Sequence, residues 1–447
     1  MKRTVSLLLT CALGLSLLSG CAGPWNSPYG SNFGPAIPGD GSFAPPPQEY
    51  AGVSQVLSPA SSPQVEAALA SFGLELLKQT RAANGEKAIE REVDHAPFST
   101  LVSPFSVAMA LSMTANGAEG DTLSQFQEVL GGSADLEELN SAWAQLLLDC
   151  RELGGSTEFS IANSLWISPD GRIYEDFIGK CRGGYGAQLY GADLSDSRIV
   201  DDVNAWVSEH TKQMIPAILD QPFEENTALL LVNALYLRNK WRDEFNPQST
   251  HEMEFHHPGG PDSRVDFLSM HDAELSYIQG EGAQGVVLPY DDGRLAFVAI
   301  LPDLYPDSPD LGEWLNNLVG NDLVQLVNSR EETPFLRFAM PKFSAEWKGN
   351  LEEILPPLGL EDAFAPGTAN FSKMGENPDG YYISQVIHAA KIEVNEKGTE
   401  AAAATVVVGD TGAAPPQEGV TLILDRPFLY GIVDLYTGVP LFLGTYE

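Results

Sequence analysis

Glu396-Lys397-Gly398-Thr399-Glu400-Ala401-Ala402-Ala403-Ala404-Thr405 lies about fifty residues from the C-terminus and carries two opposed local preferences. Its consecutive alanines are strong helix formers. Val406-Val407-Val408, directly after them, favours strand. Gly409-Asp410-Thr411-Gly412-Ala413-Ala414-Pro415-Pro416 then suits neither a helix nor a central strand. A segment with such divided preferences is suited to two structures rather than one. As a strand it would set Thr399, Ala401, Ala403, Thr405 and Val407 on one face, and none of these is charged or large. Such a face can be buried, while Glu400 falls on the opposite, solvent side. Lys397-Gly398 provides a hydrated, flexible start.

Outward from this stretch, the pattern divides. Apolar residues at helical spacing predict helices over Val65–Asn84, Ser103–Ala115, Asp121–Leu130, Leu136–Leu148 and Val200–Met214. Ser103-Pro104 reads as a hydroxyl cap followed by Pro in the first turn. Strand-type composition marks Ala228–Leu237, Ala283–Pro289, Leu295–Leu301, Pro334–Pro341, Tyr381–Val394, Val420–Leu424 and Phe428–Leu435. Asp170-Gly171, Asp292-Gly293 and Asp379-Gly380 read as turns. Helices early and strands later predict an α+β fold rather than βαβ winding.

The N-terminus reads as targeting sequence. Lys2 and Arg3 precede an apolar run, Val5 to Leu18, that is short for a membrane span. Leu18-Ser19-Gly20-Cys21 resembles the bacterial lipobox, which implies removal of residues 1–20 as a signal peptide and acylation of Cys21. Residues 21–63, rich in Pro, Gly and Ser with almost no charge, read as a tether. Residues 64–447 then form one domain, exported and lipid-anchored to the bacterial cell envelope or surface. The 61 Asp+Glu against 25 Lys+Arg disfavour nucleic acid and heparin-like polyanions, which call for clustered positive charge. Cys11 leaves with the signal. Cys150 and Cys181 remain in an oxidising compartment, where either a disulfide or two buried thiols is open.

Catalytic constellations are missing from the sequence. It has no Gly-x-Ser-x-Gly elbow, His-Glu-x-x-His or Walker loop. His251, His256 and His257 with Glu252 and Glu254 read as a turn-flanked polar loop rather than a metal cluster. Ser103 and Ser106 with His388 read as a cap and a satisfied buried histidine rather than a nucleophile and base. No cofactor and no metal are expected, and the chain reads as a non-enzyme.

The opening stretch resembles the hinge of the serpin reactive-centre loop. Leu422-Ile423-Leu424-Asp425-Arg426-Pro427-Phe428-Leu429-Tyr430 resembles the family's C-terminal signature, continued by Asp434-Leu435-Tyr436-Thr437-Gly438 and Leu441-Phe442-Leu443-Gly444. Val232-Asn233-Ala234-Leu235-Tyr236-Leu237, with Trp241 and Phe245, is similar to the central strand motif. Leu101-Val102-Ser103-Pro104-Phe105-Ser106 matches the start of the second helix, and Asn163-Ser164-Leu165-Trp166 and Ile383-Ser384-Gln385-Val386-Ile387-His388 also fit. The blocks stand in order and span roughly Val65 to Glu447. The resemblance implies the serpin fold, with three β-sheets, about nine helices and an exposed reactive-centre loop at about 396–424. It implies a suicide-substrate inhibitor of serine proteases that traps the acyl-enzyme as the cut loop enters the central sheet. The covalent complex with a serine protease is then the principal partner, and the free protein a monomer. A non-inhibitory serpin acting as a surface binding lipoprotein is the alternative. Ser103, Ser106, Asn233 and His388 match the shutter beneath the parting strands, and Trp241 matches the breach, where insertion begins. Ser99 stands where many serpins have Asn.

Counting along the loop as the family does sets the cut at Gly412-Ala413, with Thr411 and Ala414 as alternative positions. Between Thr399 and Asp425 there is no Arg or Lys, the residues a trypsin-like pocket requires, and no Phe, Tyr or Trp for a chymotrypsin-like one. Small residues suit elastase-like or subtilisin-like targets.

Overall fold

The computed structural model describes residues 48–49, 58–90, 99–224, 227–258, 260–280, 282–304, 309–399 and 419–447. These form three sheets and nine α-helices, numbered in chain order. The central sheet runs from edge to edge as β1 (Gln48–Glu49), β5 (Gln188–Gly191), β3 (Glu158–Ile167), β6 (Leu229–Lys240), β15 (Gly398–Thr399), β14 (Gln385–Asn395) and β12 (Phe343–Asn350). The second runs β16 (Val420–Ile423), β11 (Glu331–Pro341), β8 (Ser263–Gly280), β9 (Ala283–Pro289), β10 (Leu295–Pro302), β17 (Phe428–Asp434), β18 (Pro440–Tyr446) and β2 (Thr100–Val102), with β7 (His251–Phe255) flanking β8. β4 (Arg172–Ile173) and β13 (Gly375–Glu376) make a small ribbon. The helices are α1 (Pro63–Glu90), α2 (Pro104–Ala115), α3 (Gly120–Gly131), α4 (Leu136–Arg151), α5 (Glu175–Tyr185), α6 (Arg198–His210), α7 (Leu311–Asn317), α8 (Asp322–Asn328) and α9 (Glu361–Phe364).

The central sheet is apolar on both faces. Leu229, Leu231, Leu235 and Leu237 of β6 enter the main core with Phe105, Leu111 and Trp143. On the other face Leu230, Val232 and Ala234 meet a second core under α6, built from Ile199, Val203, Trp206 and Val207. This two-sided burial explains why β6 is an almost unbroken apolar run. Each large side chain so buried contributes roughly 1.5–3 kcal/mol. Helix α6 therefore lies firmly over one face of the sheet.

Several expectations are adjusted. α6 stops at His210 rather than Met214, because the Thr211 hydroxyl donates to Val207 O at 2.9 Å and accepts from Ile215 N at 3.1 Å. Lys212 and Gln213 then take positive φ, 50° and 66°, which ends the helical path. β14 starts at Gln385 rather than Tyr381. His251–Phe255 is a strand on β8, not a loop. The eighteen-residue β8 gives little periodic signal, because its burial alternates irregularly and Asp272 at φ 51° interrupts it. Within the tether, Gln48 and Glu49 pair with Gly191 and Tyr190 at the edge of the central sheet, and the Glu49 carboxylate accepts from Arg182 at 3.0 Å. A two-residue backbone ladder needs no apolar period. Cys150 and Cys181 are both thiols, so the disulfide alternative is not realised. Burial pushes the Cys150 thiol up to about 12 and Cys181 higher still.

Candidate functional site

The stretch expected to be the hinge begins where β14 ends. Asn395, Glu396 and Lys397 turn the chain, and Gly398 and Thr399 enter the central sheet as β15, antiparallel to both neighbours. Trp241, the expected breach residue, holds this turn. Its backbone N–H donates to Lys397 O at 2.9 Å and its indole N–H to Asn395 O at 2.8 Å. Its ring stacks on Tyr290, with centroids 4.9 Å apart and planes 5° from parallel. Phe245 N–H donates to Glu396 O at 2.8 Å.

Glu396 sits in a small polar clasp, accepting from the Thr250 hydroxyl at 3.0 Å and from Lys342 Nζ at 3.1 Å. Burial raises its pKa, but a backbone N–H, Lys342 and Thr250 together hold it below the usual carboxylate value. Gly398 is required sterically: a Cβ there would stand 2.0 Å from Asn239 O. Thr399 is the first residue of the expected inward face, and it is 1% exposed. Its hydroxyl meets the buried Tyr290 hydroxyl at 2.6 Å. Lys342, Thr250 and Tyr290 were not legible as hinge partners, since each lies far away in the sequence on an element of ordinary composition.

Below the hinge the sheet is part open and part closed. β6 and β14 pair directly, in parallel, from Gln385↔Leu230 to Ala389↔Ala234. β15 meets β6 at Asn239–Lys240 and β14 at Val394–Asn395. Leu235–Arg238 and Ala390–Glu393 thus face each other across a slot four residues long, with no direct ladder between the two strands. Glu400, Ala401, Ala402, Ala403, Ala404 and Thr405 lie outside the described residues, as do Thr411, Gly412, Ala413, Ala414 and Cys21.

Of the four residues expected to form the shutter, His388, Asn233 and Ser103 meet where the closed ladder begins, and Ser106 is buried in the first turn of α2. His388 and Asn233 are register partners on β14 and β6. His388 Nε2 accepts from Ser103 N–H at 3.0 Å, which assigns its proton to Nδ1. The Ser103 hydroxyl does not cap α2; it donates to Leu441 O at 2.7 Å, tying the helix to β18. Asn233 Nδ2 donates to Asn163 Oδ1 on β3, and Asn163 Nδ2 to Tyr185 O at 3.3 Å. Asn163 thus belongs to the cluster, and the quoted Asn163-Ser164-Leu165-Trp166 block was its only sequence signal. Ser106 Oγ, Asn233 Oδ1 and His388 Nδ1 are buried and meet no partner among the described residues. Burial alone lowers His388 to about 3, so it is neutral at ordinary pH. Ser106 and His388 do not form a nucleophile–base hydrogen bond. Among the described residues there is no group of His, Cys, Asp and Glu arranged to hold a metal ion. His256 pairs with Asp262 at 3.0 Å, and His257 with Ser263 at 2.8 Å. Ser99 accepts from Glu447 N–H at 3.4 Å at the chain end.

Comparison with known proteins agrees with this geometry. The profile of the family described as Serpin (serine protease inhibitor) matches residues 67–447. The chain is 30% identical to an uncharacterised serpin-like protein of Thermococcus kodakarensis over 453 residues, covering 99% of this chain and 98% of that one. It is 29% identical to the leukocyte elastase inhibitor of Bos taurus, covering 82% of this chain and 99% of that one. The crystal structure of the thermophilic serpin tengpin in its native state superposes with a TM-score of 0.78 at 32% identity, covering 88% of this chain and 97% of that one.

Proposed function

The chain belongs to the serpin family, and from that premise we propose that it inhibits a serine protease as a suicide substrate. The protease cuts the loop and is held as an acyl-enzyme, and the freed strand enters the central sheet before water completes hydrolysis. The observation that carries this is the half-open sheet, with the hinge already seated at the top of a four-residue slot that ends at a ladder able to part.

The register supports the step chemically. Continuing antiparallel from Thr399, Glu400 to Ala403 fill the slot, and Ala404 to Val408 displace the five rungs between β6 and β14. Each entering residue brings one N–H and one C=O to a waiting ladder, worth about 0.5–1.5 kcal/mol net per hydrogen bond. Ala401 and Ala403 turn toward the main core beside Leu237 and Leu235, where small side chains are needed. Thr405 arrives in the row of Asn233 and His388 and shares their face. Its hydroxyl can accept from His388 Nδ1–H and donate to Asn233 Oδ1, two of the three buried groups there without described partners. Insertion then satisfies polar atoms that the closed sheet leaves costly.

The target is an elastase-like or subtilisin-like enzyme, supported by the small residues around Gly412-Ala413 and the absence of basic and aromatic residues between Thr399 and Asp425. Cys21 carries the acyl anchor and residues 21–63 the span to the domain, supported by the lipobox pattern. Incubation with pancreatic elastase, subtilisin and trypsin tests the function. An SDS-stable complex is expected with elastase or subtilisin. Quantitative loop cleavage by elastase and subtilisin with no complex would refute inhibition, and a complex with trypsin alone would refute the specificity.

A further inference from the structure

The turn between β9 and β10, Asp291-Asp292-Gly293, reaches across from the second sheet and lands beside the slot. It lies on the end of β6: Asp291 N–H donates to Lys240 O at 2.9 Å, and Trp241 and Tyr290 form an isolated antiparallel bridge. The β3–β6 ladder has its end rung at Glu158↔Arg238, so Thr157 and Asn239 are the next pair along, one residue beyond it. The Asp292 carboxylate joins these two. Its Oδ2 accepts from the Thr157 hydroxyl at 3.0 Å and from Asn239 Nδ2. Its Oδ1 accepts from the N–H groups of Arg294 and Leu295 at 2.6 and 2.7 Å, which pins the carboxylate within its own hairpin. These four donors fill the acceptor positions of one carboxylate. Asp291 adds a second hold on the approach to β3, accepting from Ser156 N–H on both oxygens, at 3.0 and 3.1 Å. Gly155 leaves room for it: a Cβ there would stand 2.4 Å from Asp291 Oδ1.

Asn239 is the residue through which this contact bears on the slot. It is fully buried, its Oδ1 accepts from Lys240 N–H at 2.9 Å, and its backbone is the register partner of Thr399. Directly below it, Leu235–Arg238 make the β6 wall of the slot. The two oxygens of Asp292 divide the work. Oδ1 serves the hairpin turn, whereas Oδ2 is given wholly to the central sheet, one donor from each of two neighbouring strands. We propose that Asp292 is a positioning residue for loop insertion: it clamps β3 to β6 through Thr157 and Asn239, and so holds the β6 wall ready for a strand. A wall held in one geometry offers its N–H and C=O groups at ladder spacing. A frayed wall has to be ordered as the strand arrives, and that lost freedom slows insertion relative to hydrolysis. The proposal rests on the loop-insertion reading above and adds to it a residue outside the expected hinge, shutter and breach positions.

Exchanging donor and acceptor between the two side chains tests the clamp. In Asp292→Asn the hairpin N–H groups keep the amide oxygen, so its NH2 group faces that of Asn239, donor against donor. In Asn239→Asp two carboxylates meet in a buried setting. The combined variant restores one donor and one acceptor. Hydrogen exchange of the uncleaved protein reads the clamp directly. Each single change is expected to speed exchange of the amides of 157–160 and 236–240 by about threefold to tenfold, the range that one net hydrogen bond supplies, while 230–234 keep the parent rate. The combined variant should return to within about twofold of the parent. With subtilisin, each single change should raise the ratio of cleaved inhibitor to covalent complex by a similar factor at an unchanged rate of loop cleavage, a split that a general loss of stability does not produce. The combined variant should reverse that too. Thr157→Val, which removes only the β3 donor, should move both readouts in the same direction and carries the test if Asn239→Asp does not fold. Single changes that leave exchange at both strand ends unaltered, or that speed it without moving the ratio, would overturn the positioning role while leaving loop insertion intact, as would a combined variant no better than the single ones. A parent protein that subtilisin cuts without forming complex would instead overturn loop insertion, and this role with it.

Discussion

At the scale of single residues, His388 is the most exposed to a change of conditions. Burial lowers its pKa to about 3, whereas an unfolded histidine titrates near 6.5. The native state gains this contribution fully above pH 6.5 and loses it as pH falls toward 3, because only the unfolded chain takes the proton readily. The slope is about 1.4 kcal/mol per pH unit within that window. His388→Gln, whose amide oxygen can accept from Ser103 N–H, should lack this component. Urea unfolding midpoints of the two proteins at pH 7 and pH 4.5 check it, and parallel pH profiles would count against the assignment. Glu396 is held charged rather than neutral, yet its contribution is likewise lost on acidification. Its carboxylate is held ionised by Lys342 and Thr250, so the hinge clasp weakens only as pH falls through the carboxylate range. Ser103, Ser106, Asn233, His388 and Trp241 were singled out in the sequence as the expected shutter and breach positions. Their hydrogen bonds were not, because the partners Leu441, Asn163, Asn395 and Lys397 come from other elements.

At the scale of elements, the contest is between the parallel β6–β14 ladder and the strand that would replace it. The slot beneath β15 has one main-core face, walled by Leu235, Leu237, Ala390 and Ile392, each at most 3% exposed. Ala403→Arg would bring a guanidinium to the Leu235–Ala390 row, where an unpaired charge is strongly disfavoured. Such a variant should be cut by subtilisin at the parent rate and give neither SDS-stable complex nor a gain in melting temperature. Normal complex formation would contradict the register derived from Thr399. Helices and strands with regular burial were readable: α2, α3, α4, β9, β10 and β17 lie where apolar spacing set them, within a few residues. β3, β5, β8, β12, β18 and α5 were not identified. For β8 the cause is visible in its mixed burial and the positive φ of Asp272, which break the two-residue period. β7 was read as loop because its alternation is polar and half exposed, so only pairing with β8 makes it a strand.

At the scale of the whole molecule, the proposed function couples an expected anchor, the body and the loop. A net charge of −36 makes encounter with a basic protease faster than with an acidic one, an advantage that salt screens. If Cys21 carries the acyl chains, Cys21→Ser should move the protein from the detergent phase to the aqueous phase on detergent partition while leaving complex formation with subtilisin unchanged. Retention of the variant in the detergent phase would show that the anchor lies elsewhere. Within the described body, residues from Pro63 onward fold around a two-sided central sheet, and α6 covers one of its faces.

The sequence by itself determined the fold class and the chemistry of the proposed bait: small residues on the expected inward face, a glycine at its entry, and no basic or aromatic residue between Thr399 and Asp425. These are local properties, carried by side-chain size and charge at a spacing of two. Tertiary structure alone decided how far the sheet is open, where the hinge is seated, and which side chains wait beside the slot. Those depend on register between strands as distant as β6 and β14, and register is set by packing across the sheet rather than by any preference within a strand.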